Sequence, residues 1–313
     1  MNIALDLMGG DYAPREVLAG IQQYYQENSG SQAKILMLGN EAEIRTLLPE
    51  FPELEDAQFE VIHCSEKIGY NESPAKALKS KPDSSISKGF YLLATGMADA
   101  FASAGNTGAM MAGAMFTLKT SPHVIRPTIG TVLPRPGGKT GFLLDVGIHS
   151  DCKPENINQF AVIGSLYAKE ILGIENPKVG LLNIGEEEGK GDLLARESYP
   201  LLKANTKINF YGNVEGRDVL KDTVDVIVCD GFTGNILLKL LESLHPVMNS
   251  QGINHDYLRR FDFEEYGGTP ILGVEKPVLI AHGVSRQEAY CNMIVEAVRI
   301  IETGLIGKIS EKL

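Results

Sequence analysis

Positive charge is scarce in this sequence. Lys and Arg number 29 against 40 Asp and Glu, a formal net charge of −11 over 313 residues. So acidic a chain is a poor partner for nucleic acid, and an anionic ligand has to be drawn to a local cluster of donors. Cysteine is scarce as well. Cys64, Cys152, Cys229 and Cys291 lie far apart with no C-x-x-C pair, which argues against a zinc site and fits a reducing cytoplasm. No apolar run reaches the roughly 18–20 residues that a membrane-spanning helix needs. The start, Met1-Asn-Ile-Ala-Leu-Asp6, has neither the basic flank nor the apolar core of a signal peptide. A G-x-G-x-x-G followed by an acid is missing too. Gly138-Lys-Thr140 invites a phosphate-loop reading, but the position five before Gly138 is Leu133, and a strand is expected to follow. Nucleotide binding is therefore excluded there.

What is present is ordinary globular composition, 43% hydrophobic and 22% charged. Apolar runs alternate with helical patterns along the whole chain. Strands are expected at 2–7, 34–38, 58–62, 100–104, 126–133, 140–145, 178–183, 208–211, 224–228 and 278–282. The clearest helix opens at Pro154 and stops at Gly173, with Ile157, Phe160, Ala161, Gly164 and Ala168 on one face. Ser285-Arg-Gln-Glu288 reads as a capping box for the last helix. His245-Pro246 is expected to break the Leu-rich helix before it. The alternation predicts an α/β fold with a mainly parallel sheet between helices. It is taken as a single α/β/α domain over 1–313, with a short excursion at about 243–266.

Three strand ends run into glycine turns. Asp6 is followed by Gly9-Gly10, Ser103 by Gly105-Asn-Thr-Gly108, and Cys229 by Asp230-Gly-Phe-Thr-Gly-Asn235. A glycine turn entering a helix leaves backbone N–H groups pointing at a ligand, and the helix dipole favours an anion there. One such turn is also an ordinary capped helix start; three form a pattern. A carboxylate closing a first strand sits where α/β proteins bind ligands, although Asp6 equally serves as a turn cap. Glu186-Glu-Glu188 has the chemistry to hold Mg²⁺, though such runs are more often solvated. Cys229, at the end of an apolar strand beside Asp230, reads as structural rather than nucleophilic.

Taken together, Ala4-Leu-Asp-Leu-Met-Gly-Gly-Asp11, Ser103-Ala-Gly-Asn-Thr-Gly-Ala109, Arg126-Pro127, Asp145-Val-Gly147, Cys152-Lys-Pro-Glu-Asn156, Gly185-Glu-Glu-Glu-Gly-Lys-Gly191, Asn213-Val-Glu-Gly216, Asp230-Gly-Phe-Thr-Gly-Asn235, Glu265-Tyr-Gly-Gly268 and His282-Gly283 carry a resemblance. The sequence resembles the PlsX family of acyl-acyl-carrier-protein:phosphate acyltransferases, nearly end to end. The resemblance implies a Rossmann-like three-layer α/β/α fold related to phosphotransacetylases and the isopropylmalate dehydrogenase type. It implies a cytoplasmic homodimer that converts acyl-acyl-carrier protein and inorganic phosphate into acyl phosphate and free carrier. A membrane glycerol-3-phosphate acyltransferase would consume the product. The family commonly has a longer helical excursion, linked to membrane and dimer contacts, where this chain has only about Ser243–Arg260 without a strong amphipathic stripe.

That chemistry asks for little. Phosphate is itself the nucleophile, the leaving thiol has a pKa of about 8.5, and positioning plus donors for the oxyanion remain to be supplied. No cofactor and no metal are assigned. Ser103, Asn106 and Thr107 are expected to hold phosphate with the glycine backbones Gly9, Gly10 and Gly105. Gly231, Thr233 and Asn235 would line the opposite wall, and Arg126 would neutralise charge. Asn106, Asp6 and His282 are the catalytic candidates, the last two for proton handling; a capping Asp6 and a structural His282 are the alternatives. An acidic carrier should dock on basic residues, with Lys76, Lys79, Arg259 and Arg260 as candidates. Phe261, Phe263 and Tyr266 beside Gly267-Gly268 either border an acyl groove or pack in the core. A coenzyme A-dependent phosphotransacetylase, an NAD-dependent decarboxylating dehydrogenase and a non-enzymatic carrier scaffold are the rival readings.

Overall fold

Ile3, Ala4 and Leu5 are fully buried, and the strand they form, β1 (Asn2–Asp6), has a parallel partner on each side. The computed structural model describes residues 1–55 and 57–313, and of Phe263 the backbone alone, so that side chain lies outside the described residues. The chain divides into two compact units: Met1–Lys119 with Phe263–Glu302, and Thr120–Asp262 with Thr303–Leu313. After β1 the first unit runs through α1 (Arg15–Glu27), β2 (Lys34–Gly39), α2 (Glu41–Leu47), β3 (Phe59–His63), α3 (Pro74–Ser80), α4 (Ser85–Ala94), β4 (Ala100–Ser103) and α5 (Thr107–Phe116). The second unit holds β5 (Thr128–Pro134), β6 (Thr140–Leu144), α6 (Pro154–Glu170), β7 (Lys178–Asn183), α7 (Leu193–Ala204), β8 (Asn209–Glu215), β9 (Val226–Val228), α8 (Gly231–Glu242), α9 (Leu244–Ser250) and α10 (Asp256–Arg259). The chain then returns to the first unit as β10 (Thr269–Leu272), β11 (Val278–Ile280) and α11 (Gln287–Thr303), and it ends in the second as α12 (Leu305–Lys312).

The first unit orders its strands β3-β2-β1-β4-β11-β10, and the second β5-β6-β9-β7-β8. Pairing is parallel except for β10 with β11 and β5 with β6. The fold is therefore the expected mainly parallel three-layer α/β/α type. In the first unit, Val17, Leu18 and Ile21 of α1 join Tyr290, Met293 and Ile294 of α11 in one core with Ile3, Leu5 and Ala102. In the second, the Phe142 ring stacks on Tyr167 at 3.9 Å between centroids. Glycines let α4 approach the sheet and α5 approach α4, each against an aromatic ring. A methyl group at Gly89 would sit 2.3 Å from the Phe101 ring, and one at Gly113 would sit 2.1 Å from Phe90. No helix among the described residues is long and apolar enough to cross a membrane.

Several expectations are revised. Pro246 does not break the Leu-rich helix. The helix stops at Glu242, and Pro246 falls in the first turn of α9, where a missing N–H costs nothing. The Ser285 capping box does not form: the Ser285 hydroxyl is buried with no hydrogen-bond partner among the described residues. The first N–H of α11, on Gln287, instead donates to Glu16 Oε2 of α1 at 2.9 Å. Phe261 is core, 6% exposed, with its ring edge-on to Tyr257.

Candidate functional site

In the first unit, a closed network of hydrogen bonds ties together the carboxyl ends of β1 and β4. Asp6 is fully buried. Its Oδ1 accepts from the N–H groups of Met8 (2.8 Å) and Gly9 (3.0 Å), and its Oδ2 accepts from the Ser103 hydroxyl at 2.6 Å. Ser103 Oγ accepts in turn from Gly105 N–H at 2.9 Å. These contacts agree with the turn-cap alternative for Asp6 and draw Ser103 into the same network, in which both groups hold the two turns against each other.

Asn106 is the neutral cap of α5. Its Oδ1 accepts from Ala109 N–H at 2.9 Å, and its Nδ2 donates to the carbonyls of Gly69 (2.8 Å) and Tyr70 (3.1 Å). It is 4% exposed. The amide expected to hold phosphate therefore pins the 69–72 loop onto the start of α5. What α5 does offer is the exposed Thr107 side chain and the N–H groups of Thr107 and Gly108, which have no partner among the described residues. The first turn contains no acidic residue. Replacing Asn106 by Ala is expected to destabilise the fold by about 2 kcal/mol, the cost of a lost cap plus stranded carbonyls. Thr107→Ala should leave stability within about 0.5 kcal/mol, as for an exposed side chain. Urea unfolding of both variants checks this, and equal effects would refute the division of roles.

Gly10, at φ +98°, lies beside the Tyr290 hydroxyl, which donates to Gly9 O at 3.3 Å. His282 is half-buried and follows β11, whose last residue, Ile280, is in register with Ser103. Gly283 O accepts from Asp11 N–H at 2.7 Å. The sequence reading missed Tyr70. Its hydroxyl reaches Ala104 O at 3.4 Å, and burial together with the Asp11 carboxylate raises its pKa. Nothing local marks Tyr70, because its partners are distant in sequence.

The second unit repeats the design. Asp145, fully buried after β6, accepts from the N–H groups of Gly147 (3.1 Å), Ile148 (3.1 Å) and His149 (2.8 Å). Burial still pushes its carboxyl above the ordinary range. Gly231 N–H donates to His149 O at 2.8 Å, which docks α8 on this turn. Asp230 caps α8: its Oδ1 accepts from Thr233 N–H at 2.9 Å and its Oδ2 from the Thr233 hydroxyl at 2.7 Å. A carboxylate thus already occupies the start of α8, and the Thr233 hydroxyl is committed to it. Asn235 is exposed beside Gly147, and its amide has no hydrogen-bond partner among the described residues. Arg126 donates to Asp151 O at 3.1 Å and is half-buried. His149, also missed from sequence, has an imidazole Nε2 at 2.9 Å from Pro127 O, and burial lowers its pKa against the pull of Asp145. Burial raises the Cys229 thiol well above its ordinary value, which leaves it inert as a nucleophile.

Elsewhere, Lys76 and Lys79 are exposed on α3 of the first unit and Arg259 on α10 of the second. Arg260 is not available for docking, because its guanidinium donates to the carbonyls of Arg135 (2.8 Å) and Lys139 (2.7 Å). Glu186 pairs with Arg217 and Glu188 with Lys203.

The sequence family described as "Fatty acid synthesis protein" matches residues 1–251. A phosphate acyltransferase of Aquifex aeolicus is 44% identical over 99% of this chain and 96% of its own. One from Acetivibrio thermocellus is 42% identical over 100% of this chain and 96% of its own. Among solved structures, a phosphotransacetylase from Streptococcus pyogenes matches with a TM-score of 0.68 at 18% identity, covering 96% of this chain and 94% of that one. A branched-chain phosphotransacylase from Enterococcus faecalis gives 0.64 at 14%, covering 96% and 98%. At such identities the likeness speaks for the fold alone.

Proposed function

The chain belongs to the fatty acid synthesis protein family, whose curated relatives are phosphate acyltransferases, and from that premise we propose that it transfers a fatty acyl group from acyl-carrier protein to inorganic phosphate. It is an enzyme of acyl transfer to phosphate. The carrier-protein donor, the use of the acyl phosphate in phospholipid synthesis and the mechanism are our reading.

The observation that carries the mechanism is the start of α5. It is capped by a neutral amide, has no acid in its first turn, and keeps the Thr107 and Gly108 N–H groups unpartnered among the described residues. A phosphate placed there gains the free donors and the positive end of the helix dipole. The start of α8 is less suited to it, since Asp230 already supplies the negative charge. In this reading Thr107 and Gly108 hold phosphate while Asp6, Ser103 and Asn106 position the turn. A phosphate oxygen attacks the thioester carbonyl, the C–O bond forms, the C–S bond breaks, and the thiolate leaves to take a proton from solvent. Asn235 and Arg126, both of the second unit, remain the candidates there for meeting a negative charge. His282 remains the candidate for handling a proton. Lys76 and Lys79 of the first unit, and separately Arg259 of the second, are the candidates for contacting the acidic carrier. A homodimer and delivery of the product to a membrane glycerol-3-phosphate acyltransferase complete the proposal.

The test mixes the protein with palmitoyl-acyl-carrier protein and inorganic phosphate, traps acyl phosphate with hydroxylamine, and counts released thiol. Phosphate-dependent hydroxamate equal to the thiol is the expected result. Thiol without hydroxamate would mean hydrolysis, and neither signal would overturn the reading.

A further inference from the structure

The second unit contains a cavity of about 290 Å³ at the carboxyl ends of β7 and β9. Its walls are Ile157 of α6, Leu181 and Leu182 of β7, and Leu194 and Ala195 of α7, with Ile184 at the end of β7. Asp230 and Thr233, at the start of α8, also belong to the lining. The size is near the lower end of the roughly 300–1,000 Å³ typical of small-molecule sites.

The chemistry of the lining narrows the occupant. No lysine or arginine contributes, so nothing there attracts phosphate or a carboxylate. The polar side chains are already engaged. The Asn183 amide donates to Lys190 O (3.1 Å) and accepts from Ile184 N–H (2.8 Å). Asp192 caps α7 through Ala195 N–H at 2.8 Å, and Asp230 and Thr233 hold each other. The Cys229 thiol faces Asp145 O at 3.7 Å. An amide-rich arm such as the carrier's prosthetic thiol would exchange its hydrogen bonds with water for few here, where the remaining side-chain acceptor capacity is mainly that of the Asp192 and Asp230 carboxylates. A hydrocarbon chain loses none, and each buried methylene contributes favourably. The apolar surface continues outward at the mouth, where Ile184 is 83% exposed and the neighbouring Leu193 is 63% exposed.

We propose that this cavity receives the hydrocarbon chain of the acyl donor. The inference rests on the reading of the chain as a fatty acyltransferase. Ala195 and Ile184 take no part in the reacting atoms, so they can be changed to test it.

Two measurements separate failure of the pocket from failure of the reaction. Ala195→Phe fills the cavity. It should lower kcat/KM for a palmitoyl donor by about 30-fold, equivalent to lost burial of roughly two to three methylenes, while a butyryl donor changes less than about threefold. Equal loss for both donors, or no loss for either, overturns the proposal. The second measurement does not use turnover. The chain has no tryptophan, so Ile184→Trp creates a sole emitter at the mouth, and Tyr91→Trp, exposed in the first unit, serves as its control. Dibromostearate should quench the first and spare the second; quenching of neither, or of both alike, overturns the site. If the parent protein makes no acyl phosphate from any donor and the Ile184→Trp emission is still quenched selectively, the transfer reading fails and the cavity stands as a fatty-chain site.

Discussion

Gly9→Ala is expected to leave a folded protein whose acyl transfer to phosphate has fallen by about 100-fold, the loss that a misplacement near 1 Å can cause. The added methyl group would lie 2.5 Å from Asp6 Oδ2, 2.6 Å from Gly105 N and 2.9 Å from Gly105 Cα. None of the three can step aside. Asp6 Oδ2 is held by Ser103 at 2.6 Å, and its other oxygen holds Met8 and Gly9 themselves. Gly105 is tied back to Ser103. The turn after β1 must therefore move off the turn after β4, and the Thr107 and Gly108 donors follow two and three residues behind Gly105. The hydroxylamine assay reads the activity, and thermal unfolding verifies that the protein is folded. A Gly9→Ala protein within threefold of the parent would remove these turns from the reaction.

This network explains why the fold was more legible in the sequence than the site. Strands such as 2–6 and 178–183 are short apolar runs bounded by turn residues, and their partners need not be known for them to be recognised. Among the elements that escaped, two did so for a local reason. α7 carries Pro200 in its interior, where proline removes a hydrogen bond and is read as a stop. β10 contains Pro270 and follows the glycine pair 267–268, so no strand pattern stands out, although pairing with β11 holds it. The site residues were legible by type, and their contacts were not. Asp6, Ser103 and Asn106 have the chemistry of a phosphate site, and their positions in the glycine turns were read correctly. Which of them faces a ligand depends on contacts at long range. Ser103 reaches Asp6 across 97 residues and Asn106 reaches Gly69 across 37. Spacing within a motif carries no trace of those partners.

Asp6 and Asp145 show the same construction in the two units. Each closes a strand, is fully buried, and gathers N–H groups two to three or two to four residues ahead. A buried carboxylate is tolerated when it accepts several such bonds. The glycines nearby follow from that geometry, since a turn folded back on a carboxylate leaves no room for side chains. Proton chemistry is thus a poor first reading for an acid at a strand end followed by glycine, and the count of N–H groups it accepts decides between the two.

The second large effect is expected at Gly234. A methyl group there would sit 1.9 Å from the Asp145 carbonyl oxygen, 3.0 Å from its carbon and 3.1 Å from Cys229 Sγ. The obstacle is backbone, fixed by the three N–H bonds to the Asp145 carboxylate and by Asp145 N–H donating to Cys229 O at 3.1 Å. Gly231, one turn earlier, is also tight, with Asp145 Oδ2 and His149 N and O all 2.9 Å from a methyl group. α8 must lift from β6 to relieve the contact, which breaks the Gly231–His149 bond and opens the core beneath. Gly234→Ala should cost at least about 3 kcal/mol, the upper end of the usual range for overpacking, and lower the melting temperature by roughly 10 °C. The same substitution at Gly307 of α12 meets nothing within 4 Å. There it should add about 0.5–1 kcal/mol through helix propensity alone. Paired thermal melts of the two variants compare one chemical change in two helices. Opposite signs place the requirement in the contact between α8 and the Asp145 turn. A Gly234→Ala protein as stable as its parent would mean that this turn yields, and that the position of Asn235 does not depend on it.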